Sequence, residues 1–193
     1  MALSLVTGPA VEPVTLPELK RQCRVDHDDD DGLLQALGRA AREHAESFTH
    51  RPLITQTWDD KRDGFPCSVW EVPLAPVSSV TSVTYVATDG TSTTWSSALY
   101  TTDLPSGPTA ERARITPIYG GYFPTTRDVL NAATVRFVAG YGATAASVPS
   151  AIKAAIKLLV GHWYMTREAV NVGNIVTVVP LAVESLLWPY KSF

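Results

Sequence analysis

Cysteine is scarce. Cys23 and Cys67 are the two in 193 residues, and they lie in no C-x-x-C or Cys/His cluster. That is too few for a disulfide framework, so a reducing compartment is expected and structural zinc is not. The four histidines, His27, His44, His50 and His162, show no H-E-x-x-H or other metal-ligand spacing. His162 beside Trp163 reads as a packed helix residue. Basic charge is not in excess either: 16 Lys and Arg against 19 Asp and Glu leave a net charge of −3. That sign is wrong for a broad face that grips phosphates, which disfavours non-specific DNA binding. No run of apolar residues is long enough to span a membrane, and Met1 to Gly8 lacks a basic n-region, so a soluble, cytosolic chain without a targeting segment is expected.

Sequence motifs of catalysis are missing as well. There is no G-x-S-x-G elbow and no G-x-x-x-x-G-K-[ST] phosphate cradle, and Gly140-Tyr141-Gly142 lacks the third glycine of a dinucleotide fingerprint. The run Asp28 to Asp31, with Asp26, invites a calcium loop, but an EF-hand frame opened at Asp26 puts Asp31 where glycine belongs and Leu37 where glutamate belongs. These residues assign no catalytic, cofactor-binding or metal role.

What is present is an ordinary globular composition, 45% hydrophobic and 18% charged, long enough to bury about 70% of its surface in one compact domain or two small ones. Thr15-Leu16-Pro17-Glu18 is a capping signal for a short helix running to Cys23. Leu33, Leu37, Ala40, Ala41, His44, Ala45 and Phe48 recur at helical spacing, and the aspartates sit at that helix's N-terminus, where the macrodipole favours negative charge. Thr49-His50-Arg51-Pro52 ends it. From Leu53 the period changes to two. Val77 to Thr109 holds 16 Ser or Thr in 33 residues and only Asp89 and Asp103 as charges, which suits a half-exposed sheet. Val80 to Ala87 leads into Asp89-Gly90, a two-residue hairpin signal, with Thr91 to Trp95 returning antiparallel. Further strands are expected at Ala98–Thr102, Arg112–Thr116 and Ala133–Val138.

Helical spacing returns after Pro149, with Ile152, Ala155, Ile156, Leu159, Val160 and Trp163 on one face. A β-branched connector, Asn171 to Val179, follows, and Pro180 opens a final short helix. Helices, then strands, then helices argue an α+β fold: a helical bundle core with an antiparallel β domain inserted between the second and third main helices. The expected division is 1–52, helical; 53–146, β domain; 147–193, helical.

Three features carry possible chemistry. Asp59, Asp60 and Asp63 follow one another closely enough to suggest a carboxylate site of an enzyme, against the plainer reading of solvated polar residues. Tyr119, Tyr122, Phe123 and Arg127 could stack bases, although turn packing is the plainer reading. The Ser/Thr-rich sheet from Val77 to Trp95 could add a partner's strand as a peptide-binding module. Finally, Leu186-Leu187-Trp188-Pro189-Tyr190-Lys191-Ser192-Phe193 puts large apolar side chains in a terminal segment. Either it docks on its own core or it anchors a partner.

Several segments taken in order resemble one family. They are Val14-Thr15-Leu16-Pro17-Glu18-Leu19-Lys20 with Arg24-Val25-Asp26, Phe48-Thr49-His50-Arg51-Pro52-Leu53-Ile54, and Asp63-Gly64-Phe65-Pro66. Val72-Pro73-Leu74-Ala75-Pro76-Val77 with Val80, Val83 and Tyr85 follows, then Arg136-Phe137-Val138-Ala139-Gly140-Tyr141-Gly142, Val148-Pro149, Ile152, His162-Trp163-Tyr164 and Arg167-Glu168-Ala169. Together they resemble the head-tail connector (adaptor) family of tailed bacteriophages, in its β-inserted subgroup. His50 stands where a small turn residue such as glycine is expected, and Phe123 where tryptophan is more usual.

The resemblance implies a non-enzymatic structural virion protein of the neck, the head-tail junction, assembled in the host bacterial cytoplasm. It implies a homo-oligomeric ring of twelve copies beneath the portal protein that extends the DNA channel and offers a platform to a head-closure (stopper) or tail-completion protein. It implies no cofactor and no membrane, and portal contact through Leu186, Leu187, Trp188, Tyr190 and Phe193. Duplex DNA would pass through the lumen unbound. Twelve chains of −3 give about −36, which suits passage better than a basic lumen that exchanges counterions and holds the duplex.

Overall fold

The computed structural model describes residues 2–166 and 181–192. The chain divides into two compact units, one built from Ala10–Ile54 and Gly142–Lys191, the other from the residues up to Pro9, Thr55–Tyr141 and Ser192.

The first unit is helical. Thr15 starts α1 (Leu16–Cys23): Glu18 Oε2 accepts the Thr15 amide at 2.8 Å and the Thr15 hydroxyl at 2.9 Å, as the capping signal predicts. Those two bonds, the amide first, hold the Glu18 carboxyl below the usual carboxylate range. The predicted second helix is α2 (Asp31–Thr49), with Ala41 and Ala45 of the expected face buried and Leu37, His44 and Phe48 half-buried, but the face is turned part-way towards Leu34 and Gly38. Leu34, Gly38, Ala41, Arg42, Ala45 and Thr49 are buried, while Leu33 is 39% exposed. Gly38 explains the turn. It adds nothing to a hydrophobic pattern, yet a Cβ there would stand 2.8 Å from Leu19 Cδ1, so α1 packs on bare backbone. After the β unit come α3 (Ser150–Thr166), α4 (Leu181–Leu187) and a 3₁₀ turn, Trp188–Tyr190. Ile152, Ala155, Ile156, Leu159 and Val160 are buried as expected. Trp163 is half-buried, edge-on to His44 with ring centroids 6.5 Å apart. The connector Asn171 to Val179, Pro180, Arg167-Glu168-Ala169 and Phe193 lie outside the described residues. Among the described residues no helix is long and apolar enough to cross a membrane.

The second unit is antiparallel β. Its strands are β1 (Ala2–Thr7), β2 (Gln56–Arg62), β3 (Trp70–Glu71), β4 (Val77–Val86), β5 (Ser92–Thr94), β6 (Tyr100–Asp103), β7 (Arg114–Pro117) and β8 (Ala133–Ala139). They form a five-stranded sheet, β1-β2-β8-β4-β5, and a three-stranded one, β3-β7-β6. β2 to β8 fall between α2 and α3, so the fold is α+β with an inserted antiparallel block. β1 has no counterpart in the expected elements, which left everything before residue 53 to the helices.

β8 alternates cleanly, burying Ala133, Val135, Phe137 and Ala139. β4 does not alternate. Its inward residues Val77, Val80 and Val83 are three apart, because register shifts between Val77 and Ser79 and between Val80 and Ser82 each add a residue. The bulges keep those valines opposite Ala139, Phe137 and Val135. The hairpin after β4 is present with a longer loop than predicted. Ala87 N–H bonds Thr91 O at 2.8 Å around Thr88-Asp89-Gly90, and Gly90 has φ +93°. Asp89 Oδ1 accepts the Thr91 amide at 2.9 Å, which lowers its pKa.

Candidate interaction surfaces

The terminal segment divides between core and surface. Leu187 is 1% exposed and Leu186 and Tyr190 are half-buried, whereas Trp188 is 58% exposed. The turn Trp188–Tyr190 is mounted on the end of α2. Arg51 Nε donates to the Tyr190 carbonyl, and Lys191 Nζ lies 5.2 Å from the Phe48 ring centroid and 5.4 Å from that of Trp188. Arg51 reaches the tail because His50 closes α2 in the left-handed conformation, φ 54° and ψ 35°. Of the residues expected at the portal, Leu186 and Leu187 end α4 and Trp188 and Tyr190 form the 3₁₀ turn that follows, with Trp188 the large exposed side chain.

The same end of the helical unit holds a charge cluster. The Arg42 side chain, 8% exposed, meets Glu46 Oε2 at 2.7 Å, Glu12 Oε2 at 2.8 Å and Glu43 Oε1 at 3.2 Å. Burial works against its charge, and Glu46 and Glu12 more than offset that, so its pKa is raised. Glu46 Oε1 also accepts the Leu53 amide at 2.8 Å. The aspartate run is tied down too: Lys20 Nζ bridges Asp28 at 2.6 Å and Asp31 at 2.7 Å, and Asp30 Oδ2 accepts the Tyr164 hydroxyl.

In the β unit, each of the three aspartates considered for an enzyme has a partner within that unit. Asp59 takes two bonds from Arg136, at 2.8 and 2.9 Å. These bonds hold its carboxyl below the usual range. Asp60, fully buried, accepts Trp70 Nε1 at 2.8 Å and Arg62 Nη2 at 2.8 Å, while Arg62 lies over the Trp70 ring at 4.2 Å. Asp63 Oδ1 accepts the Asn131 amide at 2.8 Å.

The aromatic group splits. Phe123 stacks on Phe65 with centroids 5.0 Å apart and packs against Trp95, which is the turn-packing reading. Tyr119 and Tyr122 are fully exposed. At their base lies an open cleft of about 620 Å³, lined by Phe65, Pro66, Cys67, Pro117, Phe123 and Thr125 among others, without a charged residue.

Sequence reasoning missed β1. Its signal was there, Leu3 and Leu5 alternating with Ser4 and followed by Gly8-Pro9, but a short, exposed run carries little periodic weight.

Residues 13–85 match the model of the phage gp6-like head-tail connector protein family. No protein of curated function matches the sequence significantly. Among solved structures, a chain of the neck of an empty gene transfer agent particle, computed with C6 symmetry, is 24% identical with a TM-score of 0.80. A chain of the neck of the native particle, computed with C12 symmetry, is 26% identical with a TM-score of 0.73. A chain of the native virion is 22% identical with a TM-score of 0.79. Each comparison covers 100% of this chain and 96% of the other.

Proposed function

We propose that this chain, which belongs to the head-tail connector family, forms a ring of twelve copies under the portal of a virion neck. There it extends the DNA channel and gives a platform to a head-closure or tail-completion protein. The observation that carries this reading is the full-length likeness, at 26% identity, to a chain of the neck of a native gene transfer agent particle, a neck computed with C12 symmetry. A head-to-tail ring uses two different patches on each copy and closes when the rotation between neighbours is right. Weak pairwise contacts suffice, because closure and repeated portal contacts multiply their effect. The role is structural. Asp59 and Asp60 act as ion-pair and hydrogen-bond partners of Arg136, Arg62 and Trp70, Asp63 holds the Asn131 amide, and no catalytic step is assigned to them.

The portal contact is proposed at the terminal segment, with Trp188 as the exposed anchor and Leu186, Leu187, Tyr190 and Phe193 completing the expected set. Leu187 contributes from the inside, fixing the segment to the helical unit, so that Trp188 is presented on a prepared mount. Electron microscopy of the protein mixed with the portal encoded beside it tests the reading. A ring stacked on the outer end of the portal, lost when Trp188 to Phe193 are deleted, is the expected result. Portal rings left bare by the full chain would refute the role, and a truncated chain that still binds would refute the anchor.

A further inference from the structure

The Trp188 indole, although 58% exposed, is held by its neighbours. Leu187 before it is buried, and Pro189 after it has a fixed φ, so the backbone around Trp188 has little freedom. The turn is closed by the Lys191 amide, which donates to the Trp188 carbonyl at 3.1 Å. In a 3₁₀ turn side chains three apart stand one above the other. Lys191 is thereby brought over Trp188, and its Nζ lies 5.4 Å from the Trp188 ring centroid.

The same ammonium reaches a second ring. Phe48, half-buried in the last turn of α2, has its centroid 5.2 Å from Lys191 Nζ. A cation within about 6 Å of a ring face is attracted by the ring's quadrupole, so one lysine ties the indole to the end of α2. Another tie runs through the backbone, where Arg51 Nε donates to the Tyr190 carbonyl. Arg51 is itself 3% exposed, which makes it a fixed post. The two ties act at different levels. Arg51 sets where the turn lies, and Lys191 sets how the Trp188 side chain leaves it.

An exposed aromatic side chain that samples several rotamers loses that freedom when a partner encloses it, which weakens binding by roughly two- to tenfold per side chain. Holding one rotamer in the isolated chain removes that loss. The group that holds Trp188 therefore governs affinity without having to touch the partner.

We propose that Lys191 is the positioning residue of the terminal anchor: its ammonium, held by the Phe48 and Trp188 rings together, sets the indole in the pose that the portal receives. This rests on the portal contact proposed above.

The test uses the full-length protein labelled with 5-fluorotryptophan, with portal rings as the binding partner in sedimentation. The Trp188 ¹⁹F resonance is the one missing from Trp188→Phe. Lys191→Met keeps an apolar stem and removes the charge, whereas Lys191→Arg keeps a cation that rings also attract. Lys191→Met is expected to keep the wild-type urea midpoint, to move the Trp188 resonance towards that of the unfolded chain, and to weaken portal binding about fivefold. Lys191→Arg should restore both the resonance and the binding. In Trp188→Ala, adding Lys191→Met should weaken binding no further, because a residue that acts through the indole then has nothing to position. An unmoved resonance, wild-type binding by Lys191→Met, a lowered midpoint, or a full additional loss in the double variant would each overturn the proposal and leave the anchor standing. Trp188→Ala bound as tightly as wild type would remove the anchor and this proposal with it. A full-length chain that leaves portal rings bare would remove the portal reading; the resonance, which needs no portal, separates that failure from one in which Lys191 does not hold the indole.

Discussion

Asp59 and Arg136 face each other directly across the β2–β8 pair and are joined by two hydrogen bonds of 2.8 and 2.9 Å. The carboxylate is 8% exposed and the guanidinium 45%, so the pair is half in water. Its contribution is accordingly reduced by solvent screening. The Arg136 bonds lower the folded pKa of Asp59, against a smaller opposing effect of burial. A carboxyl depressed in the folded state contributes fully above its unfolded value near 4 and loses that contribution as pH falls through the folded value. Urea midpoints measured from pH 7 down to pH 3 should therefore fall for the wild type, and Asp59→Asn should lower the midpoint at pH 7 and flatten the decline. An unchanged acid slope in the variant would show that the pair contributes nothing to acid sensitivity.

Arg42 makes a different demand. Its side chain is 8% exposed and three glutamates converge on it. Removing the cation leaves Glu46, 16% exposed and holding the Leu53 amide, beside Glu12 with no counter-charge. Arg42→Ala should cost about 2 to 4 kcal/mol, and Arg42→Lys should recover only part of it, because an ammonium cannot serve three carboxylates in a fork. Chemical denaturation of both variants checks this. An Arg42→Ala protein within 0.5 kcal/mol of wild type, an order-of-magnitude threshold set by ordinary surface substitutions, would refute it.

The pattern of what could be read from the sequence follows the range of the interactions. The Thr15–Glu18 cap, the Asp89-Gly90 hairpin and the β8 alternation are local, and each was legible from a few adjacent residues. The turned face of α2 was not, because Gly38 is silent in a hydrophobic pattern while Leu19, from another helix, decides what packs there. The β4 valines at spacing three break the strand period, and only their partners in β8 show why. The aspartates looked alike in sequence; Arg136, Trp70 and Asn131, each far along the chain or in another strand, give each its separate task. The terminal segment posed two alternatives, docking or anchoring, and its residues divide between them: Leu187 turns inward and Trp188 outward.

His50 is the position where the sequence departs from the expected glycine, and it sits at the α2 terminus with φ 54°. A side chain with a Cβ pays about 1 kcal/mol for that conformation, and glycine does not. Part of the gain is returned because glycine is freer in the unfolded chain. His50→Gly should stabilise the protein by about 0.5 kcal/mol, and His50→Val should destabilise it, since a β-branched residue tolerates the region least. Thermal melts of the two variants against wild type should move in opposite directions. A shift of the same sign in both would mean that the His50 side chain, and not its backbone, governs this turn.

Leu187 and Trp188 are neighbours with opposite surroundings, which separates folding from binding in the terminal segment. Truncating Leu187, at 1% exposure, removes buried methyl groups and leaves a cavity, so Leu187→Ala should cost about 2 to 4 kcal/mol. Trp188, at 58% exposure, has little to lose in the isolated chain, and Trp188→Ala should change stability by less than about 1 kcal/mol. At the portal the order should reverse in meaning. Trp188→Ala should weaken binding at least tenfold while the fold is intact, as expected of an aromatic anchor. Leu187→Ala should weaken binding only as far as the segment loses its mount, and binding should recover at lower temperature where α4 is held. Binding by the Trp188→Ala protein equal to wild type, measured by sedimentation with portal rings, would move the anchor away from this residue.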